Sequence, residues 1–281
     1  MRIAFLGLGR MGRILARHVL DDGHDVHVWN RTAGAAHELG DAGAVVADSA
    51  AQAVEGAEVV ITALFGPDAV RSVVAEGSLP FASDAVWLDI TTIAPADATA
   101  MAEWASGAGV RYVHAPVIGS LAPARNRALG VVVGGEETAV EMVLPLIRLW
   151  ADPDRLQRYD DPGKAATGKL VANLALAVGM QGLVEAITLG GAGGLTPEET
   201  LATLKGTALG MIAGMKGQNT LSGRFEDTQF STDLLAKDAR LMVATSPRPL
   251  LALNTALAAL QRAQDAGLGD HDFSVIATEA R

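Results

Sequence analysis

The stretch Met1-Arg2-Ile3-Ala4-Phe5-Leu6-Gly7-Leu8-Gly9-Arg10-Met11-Gly12 decides the fold of this chain. Residues 1–6 read as a short buried strand, and Arg13-Ile14-Leu15-Ala16-Arg17-His18-Val19-Leu20 reads as a helix. Between them stands G-x-G-x-x-G, in the strand–turn–helix setting that gives the pattern its meaning. Gly7 allows a tight turn, Gly9 lets backbone approach a pyrophosphate, and Gly12 lets the helix pack close on the strand. Leu8, Arg10 and Met11 complete a loop whose helix N-terminus offers N–H groups to phosphate. The expectation is a dinucleotide site; a glycine turn in an unrelated α/β protein is the alternative.

Working outward, short apolar runs alternate with helical patterns: Asp25-Val26-His27-Val28-Trp29, 58–64, 85–90, 111–115 and 130–134. Such alternation predicts βαβ units and a mostly parallel sheet. After about residue 162 the character changes to Ala/Leu/Gly-rich helical stretches, near 164–192, 197–213, 231–245 and 248–266. The predicted organisation is an α/β nucleotide-binding domain over 1–162 and an all-α domain over 163–281, entered through a long helix.

The chain's 281 residues are 49% hydrophobic, enough for a sizeable core. A net charge of −10 argues against a nucleic-acid or anionic-membrane partner. Without cysteine there are no disulfides, thiolate metal sites or Cys nucleophiles, as fits a cytoplasmic protein. The apolar run behind Arg2 ends at Arg10, too short for a signal peptide. Residues 170–195 are apolar enough to raise a transmembrane question, but Asn173, Gln181, Glu185 and several glycines favour a buried helix. None of the six histidines shows metal-ligand spacing, so no metal is expected. Asp270-His271-Asp272 reads as a capping or turn element; Met211 and Met215, four apart, read as helix-core packing, with lining of the substrate pocket as the alternative.

At the end of the second strand an acidic residue would bond the ribose hydroxyls of NAD. Here the strand ends Trp29-Asn30-Arg31-Thr32. Asn30 replaces the acid, Arg31 can grip a 2′-phosphate with paired charge-assisted bonds, and Thr32 can add another. This argues for NADP(H); a surface arginine in a turn is the alternative.

Lys169 and Asn173 stand four apart in a helical stretch and share a face with apolar neighbours. A lysine beside a nicotinamide can stabilise the alkoxide formed by hydride transfer and give it a proton. Asn173 can orient that lysine or the substrate oxygen. On spacing alone, a lysine near a helix start is ordinarily solvated.

Four segments, in this order, resemble the β-hydroxyacid dehydrogenase family, which includes 3-hydroxyisobutyrate dehydrogenases and glyoxylate/succinic semialdehyde reductases. They are Gly7 through Gly12; Ala115-Pro116-Val117-Ile118-Gly119-Ser120; Gly163 through Lys169 to Asn173; and Phe230 with Lys237-Asp238. The resemblance spans essentially the whole chain. It implies a Rossmann domain, an interdomain helix and a helical domain that commonly dimerises, hence a homodimer acting on a small molecule. It implies that Lys169 is the catalytic acid/base with Asn173 as partner. It also implies that Leu64, Phe65, Thr92 and Lys237 contact the cofactor, and that Ile118, Gly119, Ser120, Phe230 and Asp238 belong to the substrate site.

One departure stands out. The family pattern has serine, a holder of the substrate carboxylate, where this chain has Ile118. Gly119 and Ser120 remain to supply an N–H and a hydroxyl. Pro123-Ala124 resembles the semialdehyde-reductase branch, whereas Arg125-Asn126-Arg127 does not, and reads as a solvated loop or an anion contact. The leading expectation is an NADPH-dependent reductase of a small aldehyde, ketone or oxo acid. The alternatives are an imine reductase or reductive aminase, a related group that Ile118 favours and Lys169 disfavours, and a non-catalytic NADPH-binding protein.

Overall fold

Strand β1 (Arg2–Leu6) sends alternate side chains to opposite faces of a sheet, and both faces are buried. Ile3 and Phe5 enter one core cluster, Ala4 and Leu6 another. A strand covered on both sides is the mark of a parallel α/β sheet, which explains why its sequence is apolar throughout. A computed structural model describes residues 1–32 and 34–280.

The chain divides into two units, Met1–Lys169 and Leu170–Arg281. In the first, β1 is followed by α1 (Arg10–Asp21), β2 (Asp25–Trp29), α2 (Gly34–Asp41), β3 (Val45–Val46), α3 (Ala50–Val54) and β4 (Val59–Thr62). Then come α4 (Pro67–Val70) with a π-turn (Arg71–Ala75), β5 (Val86–Asp89), α5 (Pro95–Gly107), β6 (Arg111–His114), β7 (Val117–Ile118) and α6 (Leu121–Arg125). The unit closes with β8 (Leu129–Gly135), α7 (Glu137–Ile147), β9 (Ala151–Tyr159) and the first turns of α8 (Pro162–Ala192).

The sheet order is β3-β2-β1-β4-β5-β6-β8-β7, with β9 also on β8. The strands β1 to β6 pair in parallel, in the doubly wound dinucleotide-binding order. β8 joins β6 and β7 antiparallel. The expected strands all form. β9, with the polar sequence Ala-Asp-Pro-Asp-Arg-Leu-Gln-Arg-Tyr, was not among them, because an exposed strand held by backbone pairing has no hydrophobic alternation to show.

Asp161 caps α8, its Oδ1 accepting the Lys164 N–H at 2.9 Å, with Pro162 next in the first turn. By length and composition α8, which holds an 18-residue stretch of mean hydropathy 1.7, could cross a membrane. In the second unit, however, Leu170, Met180, Leu183 and Ile187 pack into a helical core. The remaining elements are α9 (Pro197–Leu204), α10 (Gly210–Ser222), α11 (Thr232–Thr245), α12 (Leu251–Asp265) and a closing 3-10 segment (Phe273–Ala280). The single helix expected over 197–213 is therefore corrected to two. Gly206 at φ +93°, in the left-handed region, ends one before the other begins.

Candidate active site

Two of the loop glycines are demanded by the protein itself. Gly7 lies at φ +100°, and a Cβ there would strike the Ala63 carbonyl oxygen. A Cβ on Gly12 would strike the Gly7 carbonyl oxygen. Gly9 differs: its φ of −63° suits any residue, it is exposed, and nothing lies within 4 Å of where a Cβ would stand. A side chain there would fill the space in front of α1, whose start carries no side-chain cap and no acidic residue in its first turn. The cradle fits a dinucleotide diphosphate. Leu8 is buried and Met11 packs against the sheet core, so both face that cradle through backbone alone.

The turn after β2 is pinned to this loop. Gly7 N donates to the Trp29 carbonyl and Leu8 N to Asn30 Oδ1, both at 2.9 Å, while Asn30 Nδ2 donates to the Thr32 carbonyl at 2.8 Å. Both ends of the Asn30 amide thus serve backbone, a role its sequence position did not reveal. Arg31 and Thr32 are exposed on the same turn.

Leu64 and Phe65 follow β4, and Thr92 follows β5; Phe65 is 57% exposed, the other two half-buried. Beneath them lies a buried polar cluster. Asp89 accepts from Thr62 Oγ1 at 2.7 Å, Thr91 N at 3.0 Å and Tyr112 Oη at 3.2 Å. His114 Nδ1 lies 3.6 Å from its carboxylate, and Trp87 Nε1 donates to Thr62 Oγ1 at 2.8 Å. Leu64 N donates to Thr91 Oγ1 at 3.0 Å. Burial first, and then the Asp89 charge, push the Tyr112 phenol well above its ordinary pKa. Sequence reasoning picked Thr92 and missed Thr91 and Asp89; the only local signal was the Asp-x-Thr spacing at the strand end.

Ile118 ends β7, half-buried and paired with Gly130. Gly119 at φ +143° turns the chain into Ser120, the N-cap position of α6, whose hydroxyl does not cap the helix.

Lys169 and Asn173 lie one turn apart on α8 and are both buried, 7% and 5% exposed. In the second unit Asn173 Nδ2 donates to Asp238 Oδ2 at 2.6 Å. Lys237 Nζ lies 2.7 Å from Asp238 Oδ1, an ion pair whose angle is not that of a hydrogen bond. Asp238 is 1% exposed, with its carboxylate against Asn173 and Lys237. Phe230 packs edge-on against Phe273 at 6.1 Å. It sits on a turn held by Asp272, whose Oδ2 accepts from Lys216 Nζ at 2.8 Å and Gln229 N at 3.1 Å. Asp272 Oδ1 takes the backbone N–H and hydroxyl of Ser274.

Comparison with known proteins gives the same picture along the whole length. Residues 2–159 match the NAD binding domain of 6-phosphogluconate dehydrogenase, and residues 163–279 match the NAD-binding domain of NADP-dependent 3-hydroxyisobutyrate dehydrogenase. The 3-hydroxyisobutyrate dehydrogenase of Pseudomonas aeruginosa is 32% identical over 98% of this chain and 96% of its own. Glyoxylate/succinic semialdehyde reductase 1 of Arabidopsis thaliana is 29% identical over 98% and 97%. Among solved structures, a Mycobacterium tuberculosis 3-hydroxyisobutyrate dehydrogenase superposes with a TM-score of 0.87 at 26% identity, covering 99% of this chain and 98% of that one. An imine reductase from a Pseudomonas species shares the fold at a TM-score of 0.65 and 18% identity, over 99% and 98% of the two chains.

Proposed function

Because this chain belongs to the β-hydroxyacid dehydrogenase family, and is on that ground a nicotinamide-dependent oxidoreductase, we propose that it is an NADPH-dependent reductase of a small aldehyde, ketone or oxo acid. The observation that carries the reading is the buried Lys169, one turn from a buried Asn173 that Asp238 holds in place. The glycine loop would hold the diphosphate of a reduced nicotinamide dinucleotide, which when bound would supply a hydride for the carbonyl carbon. The chain must supply the rest. Negative charge gathers on the carbonyl oxygen, and a desolvated ammonium stabilises it far better than water does. Lys169 Nζ then gives that oxygen its proton, as a general acid. Asn173, fixed at its amide nitrogen, is the partner that keeps the oxygen or the lysine in line.

The proposed cofactor is NADPH because Arg31 and Thr32 stand exposed on the turn where an acidic residue would select NAD. The proposed substrate is a carbonyl with little call for a carboxylate holder, because Ile118 has no donor. The same residue favours a second reading, reduction of C=N, which the retained Lys169 opposes. The proposal includes a cytoplasmic location and a homodimer, and sedimentation tests the homodimer.

The deciding experiment measures initial rates with NADPH and with NADH on succinic semialdehyde, glyoxylate, a carboxylate-free aldehyde and a cyclic imine. Turnover of an aldehyde supports the proposal. Turnover of the imine alone replaces it with the second reading, and turnover of nothing, with NADPH bound, leaves a non-catalytic binding protein.

A further inference from the structure

We infer that Thr91 is a positioning residue for the cofactor: its buried hydroxyl, set by Asp89, fixes the two loops that follow β4 and β5 at one height above the sheet. The inference rests on the reading that Leu64, Phe65 and Thr92, on those loops, face the cofactor.

The backbone ladder carries the sheet just past its strand ends. Ala63 N donates to the Leu6 carbonyl, Ile90 N to the Thr62 carbonyl, both at 2.9 Å, and Ala115 N to the Asp89 carbonyl at 2.8 Å. Beyond that row a side chain takes over: the acceptor for Leu64 N is Thr91 Oγ1, at 3.0 Å. This hydrogen bond ties the β4 loop to the β5 loop across 27 residues of sequence.

Thr91 is held in turn from below. Asp89 Oδ1 accepts its backbone N–H at 3.0 Å, closing an Asx-type turn that aims the hydroxyl sideways. The same oxygen receives Thr62 Oγ1 from β4, and Oδ2 receives Tyr112 from β6. Asp89 is completely buried. A buried carboxylate is costly, and an apolar residue of similar size would serve packing alone at least as well. What an apolar residue cannot do is fix the first residues of a loop relative to three strands.

The consequence reaches the glycine loop. Ala63 precedes Leu64, and the Ala63 carbonyl and the Leu64 side chain are the atoms that close around Gly7, while the Ala63 methyl stands against Gly12. A shift of the β4 loop therefore moves the floor on which the diphosphate cradle rests. Thr91 is only 2% exposed, so its hydroxyl is spent on the loop and not on solvent.

The test uses Thr91→Val, which keeps the shape and removes the acceptor, and Thr91→Ser, which keeps the acceptor. The readouts are the Kd for NADPH and for NADH by fluorescence titration, and hydrogen exchange over residues 63–66 in the cofactor-free protein. The expected result for Thr91→Val is a Kd about tenfold higher and faster exchange at Leu64, from one lost hydrogen bond, with Thr91→Ser close to wild type. Should the valine variant not fold, Thr91→Ala against Thr91→Ser decides by the same two measurements. Wild-type Kd and wild-type exchange in the variant lacking the hydroxyl overturn the inference. Failure of the wild-type protein to bind either nucleotide overturns the cofactor reading on which it rests instead.

Discussion

Asn173 and Asp238 are joined by a 2.6 Å hydrogen bond from amide to carboxylate, between α8 and α11 and out of reach of water. Its direction matters. With the amide nitrogen committed, the Asn173 side chain cannot flip, and its oxygen has one place to point. Asp238→Ala removes the carboxylate that accepts from Asn173 Nδ2 at 2.6 Å and stands 2.7 Å from Lys237 Nζ. The expected outcome is a kcat lower by about 10²-fold, the usual effect of a misplaced catalytic partner, with KM changed less. Asp238→Asn, which keeps the shape, should fall between the two. A steady-state comparison giving wild-type kcat for the alanine variant removes this bond from the mechanism.

Lys169→Ala should lower kcat by about 10²–10⁴-fold, the range for loss of a general acid, while the Kd for NADPH stays near wild type. Kinetics and fluorescence titration on one preparation separate the two. Loss of binding together with turnover would instead make Lys169 part of the fold or of the cofactor site.

Arg31→Ala tests the coenzyme choice. Charge-assisted bonds to a phosphate contribute about 1.5–3 kcal/mol each, so kcat/KM with NADPH should drop about 10–100-fold. The value with NADH should hardly change, because the side chain is exposed and otherwise unneeded by the turn. A wild-type enzyme that already prefers NADH would defeat the assignment before any variant is made.

What the sequence made legible follows from how local each constraint is. Gly7 and Gly12 are dictated by atoms of their own strand–turn–helix unit and of Ala63 beside it, so a short motif announces them. The apolar runs of β1, β4 and β5 are readable because both faces of the sheet are covered. The Asp89 cluster is not readable, since it needs the knowledge that Thr62, Asp89 and His114 stand in register at adjacent strand ends, with Tyr112 two residues back on β6. The Asn173–Asp238 bond spans 65 residues, a pairing no local spacing encodes. The local sequence makes Asp272 part of a cap or turn. It does bond Ser274 in that way, but it also receives Lys216 from 56 residues away.

That Lys216–Asp272 pair supports a stability prediction. Both side chains are buried, 5% and 0% exposed, and Lys216 Nζ also lies 4.6 Å over the Phe273 ring. Removing one partner leaves a buried charge without its counterion, at a cost of about 3–5 kcal/mol. Asp272→Ala should lower the urea midpoint accordingly. The double variant Lys216→Met with Asp272→Ala should recover a large part of the loss, because no charge then remains to be buried. Equal loss in the single and double variants would show that the backbone bonds to Gln229 and Ser274, not the ion pair, hold the segment.

The last prediction concerns alkaline pH. Tyr112 donates to Asp89 within the cluster that carries Thr91, and its phenol pKa is raised well above 10.0, first by burial and then by the neighbouring carboxylate. A raised folded-state pKa means that the folded chain holds this proton more tightly than the unfolded chain does. The stability this supplies is complete below the unfolded value of about 10 and drains away as the pH rises past it. The wild-type urea midpoint should therefore fall between pH 9 and pH 11 more steeply than that of Tyr112→Phe. The phenylalanine variant, in turn, should be the less stable at pH 8, by about 1 kcal/mol for the lost hydrogen bond. Absorbance at 295 nm should place the ionisation of Tyr112 on the unfolding transition, a component missing from the variant. Parallel midpoints for the two proteins across that interval would mean that Asp89 does not depend on this phenol for its place in the sheet.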